Sequence, residues 1–322
     1  MASSPRFSVV ITCHNQRDFI RAAVDSAVSQ PIGLREIIVV DDGSTDGSQA
    51  ILGEYADSIQ LLALPRNQGA IAARNHGASH ARGEYLVFLD GDDLLMPWAL
   101  NVYERIVAER NPTLILANSV WFKEQVPALR EQDIPGQVDF VEYPTLLEKD
   151  RTVGLSASTY VVKRQQFQEV GGWTPGIFQL DLQDLSTKLA LSRLVLVVSP
   201  ATAFYRIHSS NSILSVPPFL RNLHLLLEKE KRGQYPGGRK HRFARRGWLG
   251  GLAVFWLTRA VRDQRYREAW KLVVSAWTMM MVATVRRAAA RTKGRCPIQT
   301  LALRVDGVKP GSARPRFVLS GV

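Results

Sequence analysis

The sequence predicts an α/β fold with a basic helical appendage at its C-terminal end. Three observations carry that expectation. A strand, a helix and a second strand follow one another between residues 7 and 40, the pattern of a right-handed crossover unit. A third apolar run ends in the acidic cluster Asp90-Gly91-Asp92-Asp93. From residue 231 onward, apolar helical stretches are interleaved with arginine and lysine.

Taken in order, residues 7–12 (FSVVIT) form a β-branched run closed by Cys13-His14-Asn15. Helical spacing runs from about Arg17 to Gln30, with Phe19, Ile20, Ala23, Val24, Ala27 and Val28 on one face. Pro31 and Gly33 break it. Residues 36–40 (EIIVV) show no polar alternation, so that strand is expected to be buried on both faces. It ends in Asp41-Asp42-Gly43-Ser44-Thr45-Asp46-Gly47-Ser48. The run Val87 to Asp93 repeats the arrangement of apolar strand and acidic exit. Sheets of this kind bind ligands at the carboxyl ends of their strands. The polar clusters at 12–15, 41–48 and 90–93 are therefore expected along one sheet edge. Carboxylates leaving a buried strand repel one another, and unpaired burial is costly. Mg²⁺ or Mn²⁺ is held by one or two carboxylates and completed by phosphate oxygens. Asp90 and Asp92 thus suggest a metal that grips a diphosphate, although a solvated acidic turn has the same pattern.

The segments SVVITCHNQRDFIRAAVDSAVSQ (8–30), EIIVVDDGSTDGS (36–48), RNQGAIAARNHGASHARGEYLVFLDGDD (66–93) and YRIH (205–208) occur in the order and spacing of a known family. The chain resembles a family 2 glycosyltransferase of the nucleotide-diphospho-sugar transferase (GT-A) fold over about residues 7–215. The resemblance implies a Rossmann-like, mixed, mostly parallel sheet between helices. It also implies inverting, metal-dependent transfer of a sugar from a nucleotide-diphosphate donor, with Mn²⁺ or Mg²⁺ and a UDP-sugar first in line.

By position, the resemblance puts Thr12 and Asn15 at the border of the nucleotide, and Asp42 facing the base with Asp41 beside it. Asp41 and Asp42 also read as a capped turn, since Asp, Gly and Ser are turn formers. Arg74 is placed on a helix approaching the donor phosphates; its plain alternative is an ion pair with a nearby carboxylate. Asp90 is placed at the ribose or metal, and Asp92 on the metal. Asp93 is expected to cap the following segment, LLMPWAL. Arg206 is a candidate diphosphate contact. His208 is a candidate third metal ligand or phosphate contact, and equally a structural histidine.

The general base departs from the family pattern. The family's Glu-Asp pair falls on Asp181-Leu182, so Leu182 occupies the expected base position. Asp181 and Asp184 flank it and share a helix face at a spacing of three. Either is a candidate catalytic base, and both also read as caps of the helix start. Gly171-Gly172-Trp173 matches a family step before the acceptor loop, but Thr174 and Pro175 replace the acidic residues that usually follow.

At 322 residues and 46% hydrophobic, the chain exceeds one usual compact domain, so a main domain with an appendage is expected. Cys13 and Cys296 form no CxxC and read as free thiols of a reducing compartment. The first apolar run is too short for a signal peptide. The net charge of +12 is uneven: residues 231–295 hold seventeen Lys and Arg against Asp263 and Glu268, a local +15. Within that span, 247–261 and 270–285 are apolar helical stretches carrying Trp248, Trp256, Trp270 and Trp277. Neither reaches the ~20 apolar residues of a spanning helix. Basic flanks and tryptophan suit a helix lying on an anionic membrane surface; a soluble hairpin with a solvated basic face is the plainer reading. No nucleic-acid motif accompanies the charge. The expected organisation is a catalytic domain at 1–220 and a basic amphipathic helical region at 221–322, open to the membrane reading. The expected location is cytoplasmic, peripheral on the cytoplasmic face of the membrane through 240–295, with a glycan or lipid-linked acceptor. Two other classes stay open: a degenerate member that binds nucleotide sugar without turnover, and a membrane-tethered scaffold.

Overall fold

A computed structural model of the chain describes residues 5–130, 133–149, 151, 156–208, 216–292 and 295–303. Strand β1 (Phe7–Cys13), helix α1 (Ile20–Val28) and strand β2 (Arg35–Asp41) form the first crossover. Then come α2 (Ser48–Gly53), β3 (Gln60–Ala63), α3 (Ala70–His80) and β4 (Tyr85–Asp90). Beyond them lie β5 (Leu94–Leu95), α4 (Ala99–Arg110), β6 (Leu114–Leu116), β7 (Ser119–Phe122), β8 (Gln137–Tyr143), β9 (Tyr160–Lys163) and α5 (Arg164–Glu169). The rest is α6 (Asp181–Lys188), β10 (Leu194–Ser199), β11 (Ala203–Arg206), α7 (Val216–Lys231), α8 (Arg242–Arg262), α9 (Tyr266–Thr292) and β12 (Gln299–Ala302).

Nine strands form one sheet in the order β12-β8-β10-β6-β9-β4-β1-β2-β3. β1 pairs in parallel with β2 and β4, and β2 with β3. β9 runs antiparallel between β4 and β6, and β8 antiparallel to β10 and β12. β6 and β10 pair in parallel, so among the described residues the sheet is mixed, with four parallel and four antiparallel pairs, and seven of its nine strands run in one direction. Its strands carry apolar side chains on both faces because both are covered. Val9, Ile11, Ile37 and Val39 enter the core beneath α1 and α4, while Val10, Ile38 and Val40 enter the core beneath α3.

The first helix begins at Ile20 and not at Arg17. The N–H groups of Gln16 and Arg17 are taken by the side chains of Ser48 and Asp46, which pins that stretch as a turn. A second, three-stranded sheet, β5-β11-β7, carries Arg206 at the end of β11.

Helices α8 and α9 extend beyond the apolar stretches into their basic flanks. They cross closely at Gly250, where any side chain would collide with the Met279 carbonyl. Leu223, Leu226 and Leu227 of α7 join Leu249, Ala253 and Trp256 of α8 and Leu272, Ala276 and Met279 of α9 in a third core, which also takes in Ile177 and Leu180 just before α6. A buried Glu230–Arg245 ion pair at 2.8 Å ties α7 to α8. The chain then returns to the edge of the main sheet as β12. No helix among the described residues is long and apolar enough to cross a membrane.

Candidate active site

Parallel register brings the three polar strand ends together: Thr12 lies opposite Asp90, and Cys13 opposite Asp41. Cys13 is buried, and burial pushes its thiol up to about 11, so it stays an inert thiol.

The β1 and β2 exits are knitted into one rim. Asn15 takes a left-handed φ of 52°, which asparagine tolerates. Its N–H donates to Ser44 Oγ at 3.0 Å, and its Oδ1 accepts the Thr45 N–H at 2.8 Å. The two Asp42 oxygens accept the backbone N–H groups of Gln68 (2.7 Å) and Gly69 (2.8 Å), at the start of α3. Asp41 Oδ1 accepts the Ser44 N–H at 3.3 Å. Both carboxylates are buried and serve as turn-builders in this structure.

At the β4 exit, a side chain at Gly91 would collide with the Thr12 carbonyl and the Gln16 side chain, so only glycine lets the acidic loop press against β1. Asp92 Oδ2 lies 2.8 Å from His208 Nε2. Burial raises the Asp92 carboxyl, and the Asp90 charge adds to it, while His208 pulls the other way. Asp93 does not cap a helix: Leu94 and Leu95 form β5, a turn follows, and α4 starts only at Ala99. Instead its oxygens accept the Ser158 hydroxyl (2.6 Å) and the Arg206 N–H (2.9 Å), which anchors β11 to the acidic loop. Burial pushes its carboxyl well above the ordinary range, with Asp92 and Asp90 adding to it. The Arg206 side chain lies between the rings of Phe19 (4.8 Å) and Phe122 (4.5 Å) and donates to the Asp92 carbonyl at 3.0 Å.

Arg74 occupies the centre. From α3 its guanidinium donates to Asp90 Oδ1 and to Asp181 Oδ2, both at 2.6 Å, with the Trp173 ring 5.3 Å away. Burial alone would depress the guanidinium, but the two carboxylates win and raise it. The ion-pair alternative for Arg74 is thus what the structure displays, with both partners inside the candidate site. Asp181 is buried, and its carboxyl is raised by burial against the opposing pull of Arg74.

The two base candidates part company. Asp184 is turned away from Asp90 and Arg74. Its Oδ2 accepts the Thr174 hydroxyl at 2.5 Å, and its Oδ1 accepts Lys229 Nζ (2.5 Å) and the Tyr235 hydroxyl (2.7 Å). Asp181 and Asp184 start on one helix face, but those partners separate the two base candidates: one side chain reaches Arg74 beside the acidic loop and the other fastens α6 to α7. Leu182 packs, half-buried, against the core under α3. Sequence reasoning missed Ser158, Lys229 and Tyr235, which lie far along the chain from their acidic partners and carry no local signal. Trp173 enters the sequence reading only through the Gly-Gly-Trp step; its place beside Arg74 needs the fold.

The residues present fit a hard cation in a specific way. Among the described residues no three His, Cys, Asp or Glu side chains converge as a ready-made metal cluster. Asp92 and His208 lie side by side as two adjacent donors, while Asp90 is tied to Arg74 and Asp93 to Ser158 and the Arg206 N–H. A Mg²⁺ or Mn²⁺ that takes its remaining oxygens from a diphosphate and water needs no more than that.

Residues 8–169 match the family model for Glycosyl transferase family 2. The chain is 31% identical over 193 residues to the putative teichuronic acid biosynthesis glycosyltransferase TuaG of Bacillus subtilis, covering 58% of this chain and 72% of that protein. It is 34% identical over 120 residues to the cholesterol galactosyltransferase of Borreliella burgdorferi, a match that covers 36% of this chain and only 34% of that protein's length. In fold it is similar to S. aureus TarS 1–349 in complex with UDP-GlcNAc (TM-score 0.59, 18% identity, 74% of this chain and 69% of the other). It is also similar to the mannosyltransferase PcManGT from Pyrobaculum calidifontis in complex with GDP-Man and Mn²⁺ (TM-score 0.51, 17% identity, 90% and 87%). The architecture is that of the GT-A glycosyltransferases. The chain belongs to glycosyl transferase family 2.

Proposed function

We propose that the protein transfers a sugar, with inversion, from a nucleotide-diphosphate donor to a glycan or lipid-linked acceptor. A UDP-sugar is the first donor to try, as the TarS complex is with UDP-GlcNAc. The observation that carries the reading is the Asp90–Arg74–Asp181 bridge, next to the Asp92–His208 pair, at the carboxyl edge of β1, β2 and β4. It places a carboxylate on α6 across from the acidic loop. Thr12, Asn15, Asp41 and Asp42 shape the nucleoside end, and Arg74 and Arg206 supply positive charge for the diphosphate.

Asp181 is the base of this reading. It takes the acceptor hydroxyl proton as the acceptor oxygen bonds to the anomeric carbon, and the bond from that carbon to the diphosphate oxygen breaks with its electron pair leaving on the diphosphate. Mn²⁺ or Mg²⁺, held by Asp92 and His208 with Asp90 close by, would supply charge neutralisation for the departing diphosphate. Residues 1–220 supply most of the catalytic domain and 221–322 its basic appendage, with α7 running across that boundary and β12 pairing back onto the main sheet. The span 240–295 meets the cytoplasmic face of the membrane, which suits a lipid-linked or growing surface glycan as acceptor.

A second reading rests on Leu182 at the expected base position and on Asp181 being held by Arg74: donor binding without transfer. One pair of measurements separates the two. UDP, GDP or dTDP with Mn²⁺, at a hundredfold excess over Kd, stabilises the protein by about 2.7 kcal/mol, and chelator removes the gain. Asp181→Asn keeps that shift and loses transfer by about 10²–10⁴. No shift with any nucleoside diphosphate plus metal sinks the donor-site reading. A shift without transfer to any acceptor in the wild type favours the second.

A further inference from the structure

Helix α9 is apolar on two opposed faces. Ala269, Leu272, Ala276, Met279 and Ala283 are buried. On the other side stand Tyr266, Trp270, Val274, Trp277, Met281 and Val285, each more than half exposed. Their spacings of four, four, three, four and four keep them in one stripe, about 100° wide and about 28 Å long. The stripe lies roughly opposite the buried face. A helix of a soluble domain normally carries polar residues there. Scattered exposed hydrophobes need no explanation, but a continuous stripe with two tryptophans does.

Charge says what covers it. Arg267 and Lys271 are exposed along one border of the stripe, and Arg262 is exposed at the turn from α8. The surrounding span carries +15. A second copy of this chain would set that charge against itself, so self-docking is opposed. An anionic surface is attracted. Tryptophan and tyrosine suit a boundary that is apolar on one side and wet on the other. Helix α9 cannot cross a bilayer, but a flat apolar stripe of this length can lie in its interface.

We propose that the outward face of α9 docks on an anionic lipid bilayer, with Trp270 and Trp277 seated at headgroup depth and Arg267 and Lys271 on the lipid phosphates. This rests on the reading that 240–295 meets the membrane, and narrows it to one helix face. The test is flotation of the full chain with phosphatidylcholine vesicles and with phosphatidylcholine–phosphatidylglycerol vesicles, at low and high salt. Wild type floats with the anionic vesicles only, and salt releases it. W270S/W277S binds about tenfold or more weakly, with its melting temperature and its UDP–Mn²⁺ shift unchanged, because both side chains are exposed. R267E/K271E also loses binding. Equal binding by wild type and W270S/W277S overturns the α9 face while leaving the broader 240–295 reading intact. No binding by wild type removes both. Binding that ignores lipid charge overturns the anionic partner. A dimer by light scattering that W270S/W277S abolishes makes a second copy the occupant and overturns the proposal.

Discussion

Replacing Arg74 with methionine removes the centre of the site. The arginine side chain is 7% exposed, Asp181 10% and Asp90 27%. Breaking a buried pair by removing one partner costs about 3–5 kcal/mol, because the other charge is left uncompensated. Asp181 has little water to fall back on, whereas Asp90 is partly solvated, which places the expected loss near the lower end. The lost stacking on Trp173 adds up to about 1 kcal/mol, and methionine fills part of the space. A net loss of about 3–4 kcal/mol follows. With an unfolding entropy of about 0.7 kcal/mol/K for a chain of this length, the melting temperature drops by about 5 °C. The loss also depends on pH. Without Arg74 the Asp181 carboxyl, already raised by burial, rises further above its unfolded value of about 3.9. A carboxyl whose folded pKa is raised favours the folded state while protonated in it, so stability declines as pH climbs from the unfolded value to the folded one, then levels off. The defect of Arg74→Met is therefore smallest near pH 4 and largest at neutral pH. Calorimetry across pH 4–8 measures it, and R74M/D181N regains part of the loss at neutral pH by removing the orphaned charge. A flat pH dependence, or purely additive losses in the double variant, would refute the account of Arg74 as a buried bridge.

Three further outcomes are expected. Asp92→Asn and His208→Ala each remove the Mn²⁺-dependent part of the nucleoside-diphosphate thermal shift while the apo protein still folds; retention of the full shift in both excludes them as the metal-side donors. The acid limb of the transfer rate lies above the ordinary carboxylate range, because the base works unprotonated and burial raises the Asp181 carboxyl, so activity falls as pH drops through that raised value. A pH–rate profile flat down to pH 4 contradicts this. Lys229→Met destabilises by about 1–3 kcal/mol, at the low end because Thr174 and Tyr235 still hold Asp184; unchanged denaturant melts in K229M, with D184N equally silent, would mean the α6–α7 tie contributes nothing.

The parts of the fold legible in the sequence are those written in local pattern. The unbroken apolar runs of β1, β2 and β4 announce a sheet covered on both faces, and their acidic exits announce one ligand edge. The helix starts later than its apolar spacing predicts because that spacing does not register that Asp46 and Ser48, some thirty residues on, claim the N–H groups of the turn at Gln16 and Arg17. Asp93 departs from its expected capping role for the same reason. A carboxylate before an apolar stretch looks like a cap until β11 arrives to take it, and β11 lies more than a hundred residues away. The Asp181 and Asp184 pair shows the limit most sharply. Helical spacing gives the face on which two residues start, but the partners waiting for each side chain decide where the carboxylates end. Those partners are Arg74 from α3 and Lys229 from α7, neither of them signalled near residue 181.

The same pairs connect the ends of the molecule. Asp90 and Asp181 meet through Arg74 at the cleft; one turn further along α6, Asp184 is held by Lys229 and Tyr235; the residue next to Lys229, Glu230, is paired with Arg245 of α8. Each of these carboxylates except Asp90 is nearly or fully shielded from water, so freeing Asp181 or Glu230 exposes an uncompensated charge, whereas Asp184 also has Lys188 at 3.8 Å. Sequential stretches of α6, α7 and α8 thus hold one another through buried charge as well as through the third apolar core that Ile177 and Leu180 share with α7, α8 and α9. The helix that carries the proposed base is therefore set from two sides, by Arg74 on the sheet side and by the basic hairpin on the other. On the reading proposed above, a hairpin whose outer face rests on lipid would fix the helix that carries Asp181 relative to that surface, where a lipid-linked acceptor would present its hydroxyl.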